Sequence, residues 1–463
     1  MTSSGFPNDL LLAYYGDDFT GSTDVMESLT YAGLRTVLFV DPPTDAQLER
    51  FQDLRAVGVA GSTRSTLTAD MEPILGPVWQ RLAQLRPHIV HYKTCSTFDS
   101  SVDIGSIGHA IDLALKQFDS AWVPLVVGAP VLQRFCIFGN LFARSGLDSD
   151  MFRLDRHPTM MKHPITPMEE ADLRIHLQSQ TQRRIGLVDV LQIAQGHNAL
   201  EARVQELLDS GVELVIFDTL TEDHLAAIGR VIWEQAGNPS NGALFTAGSS
   251  GLEYALTTYW QRQGWIDPPP PVTWTGVDTV IAVSGSASPV TANQIEYALA
   301  HGFLEVPVDT PALADPHRKS KEKERVVSCA TELLQDGFSV IVHTARGPQD
   351  PRIQATAALL DRSVSGQVLG NALGDILREI LRRSGLKRAV TTGGDTSAFV
   401  ARRIGVQALE VIGPLAPGSP MCRVFGDAAI NDLEMTFKGG QVGNLDYFLR
   451  VRSGTRSPEQ TSN

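Results

Sequence analysis

Four consecutive prolines, at positions 268–271, divide this chain more sharply than any other feature in it. Proline fixes φ and donates no backbone N–H, so neither a helix nor a central strand can run through such a stretch. A stiff, extended joint is expected instead. At 463 residues the chain is also too long for one ordinary core. A boundary at the prolines gives an N-domain of residues 1–266 and a C-domain of residues 272–455. A joint of this kind fits closure of two domains over a ligand.

On both sides of the joint, short β-branched runs alternate with helical patterns. The runs at 10–14, 36–40, 56–60, 88–92, 122–127, 214–217 and 244–246 read as strands of the N-domain. Those at 279–283, 305–308, 339–342, 389–392 and 408–411 read as strands of the C-domain. Short, near-continuous apolar strands are those buried between helix layers. The expected fold class is therefore α/β, with each domain a parallel or mixed sheet flanked by helices. The Lys- and Arg-rich stretch 315–325 reads as a solvated helix start or loop.

Composition excludes several function classes. Hydrophobic residues make up 43% of the chain and charged ones 20%, the balance of a soluble protein with a large core. A net charge of −13 argues against a nucleic-acid surface, which needs a basic face, but leaves room for a local basic pocket. No apolar run approaches the roughly 18 residues that span a bilayer, so no membrane partner is expected. The opening residues lack a basic region followed by an apolar stretch, so no secretory leader is expected either. Cys95, Cys136, Cys329 and Cys422 form no C-x-x-C pair, which fits a reducing cytoplasm rather than a disulfide framework or a zinc site. Walker A, G-x-G-x-x-G at a strand-to-helix junction, H-E-x-x-H and G-x-S-x-G are all absent.

Three polar loops follow successive N-domain strands. The first is Gly16-Asp17-Asp18-Phe19-Thr20-Gly21-Ser22, before a helix with Val25, Met26, Leu29 and Ala32 on one face and a stop at Gly33. Paired acids at a strand's C-terminal end stand where α/β sheets bind ligands and can accept hydrogen bonds, or a proton, from sugar hydroxyls. The alternative is N-capping by Asp18 or Thr20. The second loop, Gly61-Ser62-Thr63-Arg64-Ser65, and the third, Lys93-Thr94-Cys95-Ser96-Thr97-Phe98-Asp99, each carry one cation among hydroxyls. Together they read as the rim of a site for a small, hydroxylated, anionic molecule, or as three unrelated polar loops.

The C-domain offers a second set. Thr391-Thr392-Gly393-Gly394-Asp395-Thr396-Ser397 follows an apolar run and leads into a helix stopped by Gly405. Glycines allow close backbone approach, and the helix start supplies free N–H donors and positive dipole, a combination suited to phosphate. Asp395 sits where a magnesium shell would use a carboxylate. A plain β-to-α turn is the alternative. Ser284-Gly285-Ser286-Ala287-Ser288-Pro289 places Ser288 as an N-cap with Pro289 at the first helical position. Lys438-Gly439-Gly440-Gln441-Val442-Gly443 is a further glycine-rich loop, and Pro417-Gly418-Ser419-Pro420 a rigid turn.

These segments, in this order, resemble the four-carbon acid sugar kinase family, whose hallmarks are a D-D-x-T-G motif, an S-R pair, and a K-x-D-S-T loop. They continue with G-S-x-S-x-x-T, G-G-E-T or G-G-D-T, and a late K-x-G-N-x-G. The resemblance covers essentially the whole chain. It implies an N-terminal sugar-acid-binding domain, a C-terminal nucleotide-binding domain, and transfer of phosphate from ATP with Mg2+ to a hydroxyl of a small anionic sugar acid. It implies substrate binding by Asp17, Asp18, Ser62, Arg64, Lys93, Ser96 and Thr97, with Arg64 and Lys93 on the carboxylate. Asp17 or Asp18 would orient and deprotonate the hydroxyl, with a slight preference for Asp18. Nucleotide binding would fall to Ser286, Gly393, Gly394, Asp395, Thr396, Gly439 and Gly440, and the metal to Asp395. A homo-oligomer is a further possibility. The chain departs from the pattern at Cys95, where the family has Asp, and at Asp99, where it has Arg. That form resembles the branch acting on 3-oxo-isoapionate, and Arg134, Arg156 or Lys162 would replace the missing positive charge. Two other readings stay open: a non-catalytic sugar-acid sensor on the same scaffold, and an α/β dehydrogenase.

Overall fold

The computed structural model describes residues 6–144, 150–163, 165–236, 242–270 and 272–454. Pro271 and the polar tail beyond residue 454 lie outside the described residues. The chain forms two compact units, Met1–Pro269 and Pro270–Asn463.

The first unit carries strands β1 Leu12–Gly16, β2 Thr36–Phe39, β3 Ala56–Ala60, β4 Ile89–Lys93, β5 Val123–Val126, β6 Arg134–Ile137, β7 Asn140–Arg144, β8 Met151–Arg153, β9 Ile185–Val188, β10 Leu214–Phe217 and β11 Leu244–Gly248. Its main sheet runs β2-β3-β1-β4-β11-β5-β10-β9, and every pair in it is parallel. β6, β7 and β8 form a separate antiparallel meander. Strands such as β1, β3 and β10 are buried along their whole length, which is why they read as near-continuous apolar runs. Beneath them Tyr15, Trp79, Tyr92, Phe118 and Phe245 pack into one core, Trp79 meeting the other four rings at steep angles.

The second unit carries β12 Ile281–Ser284, β13 Phe303–Pro307, β14 Ser339–His343, β15 Arg388–Thr392, β16 Val406–Ala416, β17 Ser419–Gly426 and β18 Glu434–Lys438. Its order is β13-β14-β12-β15-β18-β17-β16. The β13-to-β18 part is parallel and the last two strands pair antiparallel. Arg388 locks this unit: buried at the start of β15, it bonds Glu434 of β18 and the carbonyls of Thr275 (2.7 Å) and Val451 (3.0 Å), and lies 4.7 Å above the Trp274 ring. A parallel sheet in one unit and a mixed sheet in the other, with helices around both, is the expected fold class.

Element positions depart from expectation in two ways. β1 lies two residues later than the run at 10–14, so that its end delivers Asp17 directly. The meander, β9, β17 and β18 were not anticipated; β6, β7 and β8 are short and partly exposed, and arginine or asparagine interrupts their apolar residues. The stretch 315–325 leads into the helix Lys319–Gln335. Among the described residues, no helix is long and apolar enough to cross a membrane.

Candidate functional site

Parallel strands place their C-terminal ends along one edge, and in the first unit that edge gathers the polar loops. The loops after β3, β1 and β4 are neighbours because those strands are neighbours. Asp17 leaves β1 with its N–H on the carbonyl of Lys93 (2.8 Å), while its own carbonyl accepts from the Arg64 N–H (3.0 Å). The three loops are thus stitched together at Asp17.

The two acids have different surroundings. Asp18 is the N-cap of the helix Phe19–Tyr31: Oδ1 accepts from the Gly21 N–H at 2.7 Å, and Oδ2 lies 3.3 Å from Arg64 Nη1. Asp17 is buried, its Oδ2 accepts only a long bond from the Cys95 N–H (3.4 Å), and its Oδ1 has no partner. Burial, reinforced by the charge of Asp18, pushes the Asp17 carboxyl up to about 7, against the opposing pull of Arg64 and Lys93. An acceptor oxygen with no bond, on a group that titrates near neutrality, is chemically prepared to take a proton.

Lys93 is buried, with Nζ on the Thr94 carbonyl at 2.9 Å. Burial alone would lower it, yet Asp24, Asp18 and Asp17 hold its ammonium above the ordinary range. Gly21 makes room for it, since a Cβ there would stand 2.9 Å from Nζ. Arg64 forks onto Asp99: Nε and Nη2 reach Oδ2 at 3.0 and 2.8 Å. Asp99 also accepts from Thr97 (2.5 Å) and Thr166 (3.1 Å). Although burial works to raise it, Arg64 and Thr97 hold the Asp99 carboxyl low. Ser62 is exposed beside Arg64, its N–H 3.4 Å from the Tyr15 hydroxyl, and Ser96 is half-buried. Burial raises the Cys95 thiol, which lies 3.1 Å from the Thr97 hydroxyl, so it stays protonated and is no nucleophile.

A second layer lies behind Lys93. Glu253 is fully buried with neither oxygen bonded, and burial pushes its carboxyl up to about 8. Its neighbour His91 bonds the Thr246 hydroxyl (2.9 Å) and is pushed down to about 3. Asp24 takes a short bond from Ser250. Sequence alone gave no role to Asp24 or Glu253; the signal available was Gly248-Ser249-Ser250-Gly251, another polar strand-to-helix junction.

In the second unit, β12, β15 and β18 are adjacent and parallel, so their trailing loops converge. Gly393 caps the helix Gly394–Ile404 at φ 108°, a conformation closed to other residues without strain. Its N–H binds the Lys438 carbonyl (2.8 Å), and the Gly285 N–H binds the Thr392 carbonyl (3.0 Å). A Cβ on Gly393 would lie 2.9 Å from the Thr396 hydroxyl, and one on Gly440 would lie 2.9 Å from Ser286 Oγ. Ser286, Gly393, Thr396 and Gly440 therefore surround one glycine-lined hollow, with Gly394 and Asp395 exposed in the first helical turn and Gly439 beside it. The donor set fits a chain of phosphates. Ser288 caps the helix Pro289–Ala300 as expected, accepting from the Val290 N–H (3.1 Å). Lys438, buried and without a carboxylate among the described residues, donates to Thr291 Oγ1 (3.1 Å) and the Gly439 carbonyl (3.0 Å), and burial pulls it down to about 7.

Comparison with known proteins covers both units. The family described as a sugar-binding N-terminal domain matches residues 12–256, and that described as a nucleotide-binding C-terminal domain matches residues 281–448. A 3-oxo-isoapionate kinase from Paraburkholderia graminis is 46% identical over 459 residues, covering 98% of this chain and 96% of that protein. A 3-oxo-tetronate kinase from Pseudomonas savastanoi pv. phaseolicola is 31% identical over 447 residues, covering 95% of this chain and 96% of that protein. A crystal structure from Salmonella typhimurium LT2 shares the fold, with a TM-score of 0.76 at 24% identity over 95% of this chain and 98% of that one.

Proposed function

This chain belongs to the family that joins a sugar-binding N-terminal domain to a nucleotide-binding C-terminal domain, and from that premise we propose the reaction it performs. It is an ATP-dependent sugar-acid kinase, a phosphotransferase with an alcohol acceptor. Its substrate is 3-oxo-isoapionate or a closely related four- or five-carbon hydroxy- or oxo-acid. The observation that carries this reading is the likeness to a 3-oxo-isoapionate kinase along nearly the whole chain. The sensor reading is not favoured, because relatives across the full length are kinases. Four free thiols fit a cytoplasmic enzyme.

The roles follow from the two sites. Residues 1–266 hold the acid, with Asp17, Asp18, Ser62, Arg64, Lys93, Ser96 and Thr97 around it. Residues 272–455 hold the nucleotide, with Ser286, Gly393, Gly394, Thr396, Gly439 and Gly440 around its phosphates. Asp395 would hold Mg2+, which neutralises phosphate charge when bound. The acceptor hydroxyl oxygen bonds to the γ-phosphorus, the bond from that phosphorus to the β–γ bridging oxygen breaks, and ADP leaves with the electron pair. We assign the departing hydroxyl proton to Asp17 rather than Asp18, since Asp17 has the unbonded oxygen and Asp18 is engaged as a cap. Such transfers have a loose transition state, so placement and charge stabilisation dominate. Lys93 supplies fixed positive charge beside the acid pair.

ADP release over a panel of four- and five-carbon sugar acids, including branched oxo-acids, tests the reading. Turnover strongest on 3-oxo-isoapionate is expected. Tight binding of the acids with no ADP formed would favour the sensor instead.

A further inference from the structure

Of the cations expected to hold the substrate's carboxylate, all but one are either matched by acid or exposed on the surface. Arg64 has its fork on Asp99 and a third nitrogen on Asp18. Lys93 is enclosed, with three carboxylates raising its affinity for its own proton. Arg156 pairs with Asp155 at 3.4 Å and is mostly exposed, and Lys162 is exposed on a surface turn. Arg134 differs. Among the described residues it has no carboxylate partner. Its Nη1 reaches only the carbonyls of Leu132 (3.3 Å) and Gln133 (3.2 Å), and its Nε is buried with no partner at all.

Its position is built rather than accidental. Arg134 opens β6 in the connection that leaves the C-terminal end of β5. β5 stands in the same parallel order as β3, β1 and β4, with β11 between. The loop from β5 therefore leaves the edge that carries Asp17, Arg64 and Lys93. The backbone of Arg134 is clamped on both sides: it exchanges bonds with Ala129 (2.9 and 3.2 Å) and pairs with Ala143 of β7. Two residues on, Cys136 exchanges bonds with Thr219 (3.0 and 2.9 Å), and Asp218 accepts from the N–H groups of Phe138 and Gly139 at the hairpin tip. Burial pulls the Arg134 guanidinium below its ordinary range, and Cys95 of the third rim loop works against that pull. A half-buried guanidinium without a counter-charge is costly unless an anion arrives, and a planar fork is the natural partner of a carboxylate.

We propose that Arg134 anchors the carboxylate of the sugar acid, in place of Arg64, which Asp99 has taken over as an internal brace. The proposal rests on the sugar-acid reading above. It also accounts for how a pocket with an added acid at position 99 keeps a net attraction for an anionic substrate.

The test is direct binding by calorimetry together with steady-state turnover, using 3-oxo-isoapionate and its uncharged amide. Arg134→Met should weaken the acid by about 10- to 100-fold and leave the amide and ATP nearly unchanged. Arg134→Lys should recover part of the loss, which a merely structural role would not predict. Equal losses for acid and amide, or an unchanged preference for the acid, would overturn the proposal. If Arg134→Met is poorly folded, the acid-to-amide ratio in Arg134→Lys and Arg134→Gln decides by the same criterion. A wild-type protein that binds the acid through Arg134 but releases no ADP would sink the kinase reading and leave this one standing. A protein that binds neither acid nor amide would sink both.

Discussion

The pH dependence of turnover provides the sharpest check on Asp17. Its carboxyl is raised to about 7, and a proton acceptor works only when ionised. Between about pH 8 and about pH 6 its ionised fraction falls roughly tenfold, so kcat/KM should fall by about the same factor. Asp17→Asn removes the acceptor while keeping the shape, and should lower kcat by about 10² to 10⁴ with little change in the ATP KM. The neighbours then move the acid limb in opposite directions. The charge of Asp18 helps to raise Asp17, so Asp18→Asn should shift the limb to lower pH; asparagine still caps the helix, which keeps the fold out of the comparison. Arg64 lowers Asp17, so Arg64→Met should shift the limb upward. Initial rates of ADP release across about pH 5.5 to about 8.5 measure all three. A flat wild-type profile, or Asp17→Asn within about threefold of wild type, refutes the assignment.

Three other outcomes follow from the same structure. Glu253 stays neutral in the fold up to about pH 8 and ionises in the unfolded chain above its ordinary 4.5. Stability should therefore fall as pH rises between those values, and Glu253→Gln should flatten that slope in thermal melts at about pH 5 and about pH 8. Gly393→Ala forces a side chain into φ 108° and against Thr396, which should raise the ATP KM about tenfold or more while leaving sugar-acid binding unchanged in calorimetry. Arg388→Met leaves Glu434 and two carbonyls without their donor and should cost about 3 kcal/mol in denaturant unfolding.

Much of this was readable from the chain because buried parallel strands have a plain signature. Runs such as 56–60 and 214–217 coincide with strands, since both of their faces must be apolar. The polar loops behind them were legible for the same reason: charged and glycine-rich residues end such an apolar run abruptly. The meander was not legible, because Arg134–Ile137 and Asn140–Arg144 are short, half-exposed and shaped by a turn at Phe138 and Gly139, both with positive φ. Nor was the division of labour between Asp17 and Asp18. Adjacent identical residues differ only in which one the helix uses as its cap, and that depends on a single bond to Gly21. The engagement of Arg64 by Asp99, 35 positions along the chain, became visible only once β3 and β4 stood on either side of β1.

The Arg64–Asp99 brace has a consequence for how such an enzyme can change its diet. The carboxylate of Asp99 on one rim loop has its counter-charge on another, and two hydroxyls donate to it as well. The brace is closed among loops of the first unit, while the glycine-lined hollow belongs to the second unit, which has its own core. Drift in what is phosphorylated can therefore proceed by small, self-balancing swaps among neighbouring loops, while the phosphate donor's side of the bargain stays as inherited.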